Sequence, residues 1–234
     1  MSRAAAISLV VGLAWLLGAP PAAASVTGRV GGQYRYWAVS DGNDLRDLLL
    51  YWAAKRVHVQ LEGWNFVDPG TPDQFRPELG IHLRDRRKGV YTMQWRHERR
   101  QERFWLGTDQ ILSDHVVGRA EVSPIAATDS TLWVARLGAD LYWKSWNFLS
   151  LDVIRDPRLE GLWVVPVRVR LADEKNDWIQ LTFAPASRRT IGWAVDVKQR
   201  WLRLGVERNN RFDFTRLDNT IVTAGFEVPL NARE

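Results

Sequence analysis

The chain has 234 residues, with 32 Lys and Arg against 27 Asp and Glu, a formal charge of +5, 13 Trp and no Cys. That length suits one β-type domain or two small ones. The lack of Cys excludes a disulfide framework and a lipoprotein anchor, so stability must come from backbone ladders and packing.

The first element is a secretion signal over residues 1–24. Arg3 supplies the positive region, Ala4 to Leu17 is uncharged and apolar, and Ala22-Ala23-Ala24 before Ser25 is a small-x-small cleavage site. The apolar run is about 14 residues, short of the roughly 20 that a membrane helix needs. Residues 25–234 then form one domain, with no linker, composition shift or internal repeat. In an exported chain a small positive excess points to anionic surfaces, such as lipopolysaccharide phosphates or acidic polysaccharide, and away from nucleic acid.

Alternation with a period of two begins with Val26–Val39 and returns over Leu45–Ala53 after a turn at Asp41-Gly42-Asn43-Asp44. Val57–Phe66 sets Val57, Val59 and Leu61 against His58, Gln60 and Glu62; Pro77–Arg84 sets Leu79, Ile81 and Leu83 against Gly80, His82 and Arg84. Val90–Arg99, Arg103–Ile111, His115–Pro124 and Thr131–Tyr142 follow, the last with Trp133, Ala135, Leu137, Ala139 and Leu141 opposite Arg136, Gly138 and Asp140. Next come Asn147–Ile154, Leu162–Ala172 with Arg168 and Arg170 on its polar face, Asp177–Ala184 and Thr190–Lys198. Trp201–Arg208 and Thr220–Leu230 flank a loop over Asn209–Asn219.

These segments predict about 14 strands, with 12 as the alternative, and an even number places both termini at one end. Short turns fall at the end with the termini and longer loops at the other. Joined to an export signal, two-faced strands of this length predict an all-β fold, a transmembrane antiparallel up-and-down β-barrel with apolar residues to lipid and polar residues to the lumen. The location expected is the outer membrane of a Gram-negative bacterium. Trp is favoured where one end of a side chain is apolar and the other wet. Trp37, Trp52, Trp64, Trp105, Trp143, Trp146, Trp163, Trp178 and Trp201 lie near segment ends and are expected to form girdles.

The candidate lumen-lining set is His58, Glu62, His82, Arg84, Arg136, Asp140, Arg168, Arg170, Asp196, Arg203 and Glu207. Two readings of its charges stay open: opposite signs pair across strands and leave a narrow or closed lumen, or Arg-rich patches line a path for anions. His58 and His82, with Glu62 and Arg84, are the one cluster where catalysis is arguable, and an outer-membrane lipid hydrolase is the rival it supports. Two His without further ligands are a poor metal set. No catalytic residue, metal or cofactor is assigned. A soluble periplasmic lipocalin-like or sandwich protein is a second rival; it would have to turn so many apolar faces into a single core.

Thr223-x-Gly225-x-x-Val228-x-Leu230 resembles the C-terminal signal by which barrel-assembly machinery recognises outer-membrane barrels, with Leu230 in place of the usual aromatic residue. The segment Trp201–Leu230, with its loop around Arg208-Asn209-Asn210-Arg211-Phe212-Asp213-Phe214, resembles many Gram-negative outer-membrane barrels. The layout from Gly28–Tyr36 through repeated hairpins to Phe148–Asp152 resembles the YaiO-type outer-membrane β-barrel family. That resemblance implies an outer-membrane barrel linked to export or modification of envelope polysaccharide; the function expected from the chain as a whole is a non-enzymatic structural or permeation role, accessory to polysaccharide export. Its partners would be outer-membrane lipid, lipopolysaccharide and anionic polysaccharide.

Overall fold

The computed structural model describes residues 28–40, 42–54, 56–85, 89–98, 101–126, 131–144, 146–156, 162–175, 177–185, 191–209 and 219–230. The signal expected over residues 1–24, most of the loop between Asn209 and Asn219, and residues after Leu230 lie outside the described residues, as do the side chains of Arg84 and Asp85.

The strands are β1 (Gly28–Val39), β2 (Leu45–Ala54), β3 (Val57–Phe66), β4 (Gln74–Asp85), β5 (Gly89–Glu98), β6 (Gln101–Ser113), β7 (Val116–Ala126) and β8 (Thr131–Lys144). They continue with β9 (Asn147–Asp156), β10 (Leu162–Val164), β11 (Val167–Ala172), β12 (Trp178–Pro185), β13 (Ile191–Gln199), β14 (Leu202–Arg208) and β15 (Asn219–Leu230). Consecutive strands pair antiparallel except β10 and β11, and β15 pairs with β1 from Gly28↔Leu230 to Val39↔Asn219. β10 and β11 both lie against β9 and are two halves of one stave, so the sheet closes as a 14-stranded barrel. The stave breaks at Pro166, which has no N–H to give a ladder. Val165 N–H instead reaches the Pro185 carbonyl on β12 at 3.0 Å.

Closure removes every sheet edge, and the alternation decides which face is which. Leu137, Trp133, Leu83, Leu106, Leu181, Phe183 and Val195 are exposed on the outer face, while Gln33, Arg35, Asp47, Glu62, Arg76 and Asp152 are buried on the inner one. This is the inverse of a soluble protein and matches a lipid-facing barrel. It also overturns the soluble lipocalin-like or sandwich alternative and the count of 12 strands.

Several strands run longer than their alternation suggests. β4 begins at Gln74, not at Pro77. Pro77 faces Leu61 of β3, but the ladder to β5 starts only at Glu78↔Arg96, so the missing N–H falls where no partner awaits it. Pro229 is placed by the same rule. It pairs with Arg29 on β1, beyond the last β14 pair at Leu202↔Phe226.

Four of the Trp expected in the girdles point inward. Trp37, Trp64 and Trp105 are buried, and Trp178 lies beside inward-facing Arg170 and Arg203. Parity explains this: Trp37 shares its face with Gln33 and Arg35, and Trp64 shares its face with Glu62. Trp143, Trp146, Trp163 and Trp201 are exposed.

Candidate functional site: the inner wall of the barrel

The inner face carries ion pairs in two arrangements. On β1–β4, Arg35 Nη2 lies 2.5 Å from Asp47 Oδ2 and also donates to Glu62. Glu62 reaches Arg76 Nη1 at 3.3 Å, and the Arg76 guanidinium stacks 4.3 Å above the Trp64 ring. All four charged side chains are at most 4% exposed. Trp37, Leu45, Trp64 and Ile221 pack beside them as an apolar cluster at the loop end, joined by Val39 and Phe66. Two Trp rings 5.9 Å apart cover the ion pairs with low-dielectric surface. Such burial is tolerable only because each charge has a close partner.

On β6–β9 and β11 the network centres on Asp152. It accepts from Arg136 at 2.7 Å, from Arg119 at 3.2 Å and from Arg168, while Arg168 also donates to Ser150 Oγ at 3.0 Å. Arg119 reaches Asp140 at 2.7 Å and Asp109 at 3.1 Å. Here the two signs differ in depth. Asp152 is 1% exposed, whereas Arg136 is 24% and Arg168 27% exposed. Arg203 at 32% likewise stands over Asp196 at 18%. The short carboxylate is the more covered partner, and the longer guanidinium is the more exposed one. Among the described residues, some pairs run the other way: Lys198 is more covered than Glu227, Arg119 more than Asp109, and Arg76 more than Glu62.

Further round the wall, Arg170 lies between Phe148 and Trp178, 5.0 and 4.4 Å from their ring centres. It gives two hydrogen bonds to the neutral Gln180 Oε1, at 3.0 and 2.7 Å. Glu207 is buried on β14 opposite Ala194 and Ile221.

His58 and His82 do meet. His58 Nδ1 is 2.8 Å from His82 Nε2, His58 Nε2 is 2.9 Å from Glu78 Oε1, and His82 Nδ1 is 3.3 Å from Thr92 Oγ1. Glu78 then accepts from Arg96 Nε at 2.7 Å. The cluster's acid is thus Glu78, and Glu62 belongs to the Arg35–Arg76 group. A hydroxyl–imidazole chain is half of a hydrolytic site; the other half is a pair of N–H donors aimed at an oxyanion. β5, which carries Thr92, is laddered on both sides, to β4 and to β6, so its backbone N–H groups are engaged. The chain of contacts links part-buried polar groups across β3, β4 and β5.

Glycine facing a polar side chain is the feature that alternation alone does not reveal. Directly cross-strand from His58, Asp152 and Asp196 stand Gly80, Gly138 and Gly205. An added Cβ would lie 1.9 Å from the His58 ring, 2.1 Å from Asp152 Oδ1 and 2.7 Å from Asp196 Oδ1. Each inner side chain thus lies flat on a neighbour that has no side chain. A Gly at polar-face parity is the sequence signal, but only the register says which residue it serves.

In the C-terminal motif, Thr223 is buried on the inner face with Gly225, while Val228 faces outward and Leu230 ends the strand against Gly28. A Cβ on Gly225 would meet the Gly32 carbonyl oxygen at 2.5 Å, so this position needs glycine for close strand approach.

No protein-family model matches the chain, and no curated protein matches it either. Among solved structures it is similar to the KdgM porin, with a TM-score of 0.52 at 8% identity over 84% of this chain and 98% of that one. The same porin in complex with disordered oligogalacturonate also has a TM-score of 0.52. A triple mutant of the Rhodopseudomonas blastica porin matches with a TM-score of 0.52 at 10% identity, over 87% of this chain and all of that one. At such identities the likeness is one of fold: the chain has the architecture of porin barrels.

Proposed function

We propose that the protein is a passive permeation barrel of the outer membrane that favours anionic solutes of the acidic-oligosaccharide type. The observation that carries this reading is the depth order on the β8–β14 arc. Arg136, Arg168 and Arg203 are more exposed than Asp152 and Asp196, so a solute in the lumen would meet guanidinium before carboxylate. Carboxylates and phosphates are what guanidinium forks bind. The KdgM porin, of like fold, has been solved with oligogalacturonate, a polycarboxylate. In this reading residues 1–24 direct export, and Thr223, Gly225, Val228 and Leu230 present the closing strand to the assembly machinery. Kinship with YaiO-type barrels, and an accessory place beside polysaccharide export, fit the same lining.

Swelling of vesicles containing the purified barrel tests it. A uronate salt should drive faster swelling than a neutral sugar of similar size, and Arg136→Gln with Arg168→Gln should narrow the difference. Faster entry of the neutral sugar would contradict the proposal. The fully covered arc on β1–β4 favours a second reading, in which paired charges close the lumen; that reading requires swelling by neither solute.

A further inference from the structure

We propose that Arg170 is the receptor for a single carboxylate of a sugar acid, near the end of the lumen that has the short turns. The inference rests on the permeation reading above and places one discrete site in it. Among the inner arginines of this arc, Arg170 is set apart by its partner. Arg119, Arg136 and Arg168 reach Asp152, and Arg203 reaches Asp196. No described carboxylate is within ion-pair distance of Arg170, whose hydrogen-bond acceptor is the neutral Gln180 Oε1. Arg170 is the third residue from the end of β11, Phe148 the second of β9 and Trp178 the first of β12. All three adjoin short turns, and the Arg203 guanidinium adds a second cation 5.6 Å from the Trp178 ring.

The bonds to Gln180 leave one edge of the guanidinium open. Its N–H donors lie in one plane, one on Nε and two on each Nη. Nε and one Nη2 hydrogen are engaged by Gln180, at 3.0 and 2.7 Å. The other Nη2 hydrogen and the Nη1 hydrogen parallel to it form the fork that a carboxylate accepts with both oxygens. Nη1 makes no hydrogen bond among the described residues and is not buried, so on the inner face it opens to the lumen. Register fixes the rest of the setting: Arg170 faces Gln180 on β12 and Phe148 on β9. The rings of Phe148 and Trp178 flank the guanidinium at 5.0 and 4.4 Å. Held by two rings and an amide, it loses little freedom when an anion arrives. A spherical halide can take only part of such a fork, and a carboxylate takes both arms. The Gln180 amide nitrogen also makes no hydrogen bond among the described residues, and it supplies a donor for a hydroxyl of the same solute.

Isothermal titration of the purified barrel in detergent tests this with two probes, trigalacturonate and its methyl ester, which is the same sugar without charge. The acid should bind at least about tenfold more tightly than the ester, because charge-assisted hydrogen bonds distinguish them. Arg170→Gln should remove that advantage. Arg170→Lys should not restore it, since an ammonium keeps the charge and lacks the fork. At equal ionic strength, acetate should displace trigalacturonate more effectively than chloride does. Equal binding of the ester, full binding by either Arg170 variant, or equal displacement by acetate and chloride would each overturn the proposal. Heat-dependent gel migration establishes that the variants are folded. Should they fail to fold, Trp178→Leu, which removes one flank and no hydrogen bond to Arg170, should weaken trigalacturonate, and unchanged binding would overturn the site. Uronate binding without faster uronate swelling keeps the site and removes the permeation reading; faster swelling without Arg170-dependent binding removes the site alone.

Discussion

The two arcs of the inner wall use the same residue types to opposite ends. On β1–β4, Arg35, Asp47, Glu62 and Arg76 are shut beneath Trp37 and Trp64, and none is more than 4% exposed. On the β8–β14 arc, Arg136, Arg168 and Arg203 keep 24–32% of their side chains exposed above the carboxylates that hold them. What differs is what covers the pairs. Two large inward aromatics cap the first group, while the second has small or polar company such as Gly138, Ser150 and Gly205. On the proposed function, inner charge serves cohesion on one side and contact with solute on the other, and substitutions should separate the two roles.

The largest effect is expected in the covered arc. Glu62→Ala leaves Arg76 and Arg35 without the carboxylate between them, and breaking a buried pair from one side costs about 3–5 kcal/mol. The urea midpoint of the folded barrel, read by gel migration without heating, should fall sharply, while ion preference in any surviving barrel stays as in the wild type. A changed preference with unchanged stability would merge the two arcs into one.

Next comes the division between inside and outside on the second arc. Val195 faces lipid and Asp196, the next residue, faces inward toward Arg203. Arg on the lipid face near the midplane costs roughly 2–4 kcal/mol, so Val195→Arg should impair assembly in vesicles more than Asp196→Asn does. A silent Val195→Arg beside a damaging Asp196→Asn would mean that the faces are assigned backwards.

A smaller loss is expected from Gly138→Ala. The new Cβ would collide with Asp152 and with the Leu151 carbonyl, and overpacking of this kind costs about 1–3 kcal/mol. Because Asp152 would have to shift, Arg136 and Arg168 should move with it. This variant should therefore change both stability and ion preference, which Glu62→Ala should not.

The smallest effect lies in the turn above the covered arc. Asp44 accepts from the Tyr36 hydroxyl and from Val39 N–H at 3.0 Å, and these bonds hold its carboxyl below the usual carboxylate range. A lowered folded pKa means the tether is complete above the ordinary Asp value near ~4 and is lost as pH falls through the lower folded value. Protease cutting in the turn between β1 and β2 should rise only below about pH 4, and Asp44→Asn should flatten that rise. Cutting that increases between neutral and mildly acid pH would point to another group.

The sequence makes plain which residues share a face, because a closed barrel leaves the period of two undisturbed across Ile191–Lys198 and Trp133–Leu141. The meeting of His58 and His82 is legible too, since they sit on consecutive strands of one hairpin at matching parity. Partners across the wall are not. That Glu78 and not Glu62 supports His58, or that Asp152 gathers three arginines from β7, β8 and β11, depends on register, which alternation does not encode. The Trp assignment fails for a related reason. Abundance suggests the interface, but Trp37, Trp64, Trp105 and Trp178 lie at inner parity, where Arg76, Arg96, Arg103, Arg170 and Arg203 stack on or near them. Parity, which the sequence shows, and not abundance fixes the face of each Trp.

The zero-current potential of the purified wild-type barrel in a planar bilayer, across a tenfold-scale KCl gradient, tests most directly whether the exposed guanidinium layer governs passage. Steady conductance with a potential of the sign set by chloride is expected, and it should shrink when Arg136, Arg168 and Arg203 are all replaced by Gln. A potassium-selective potential, or no steady conductance at all, would contradict it.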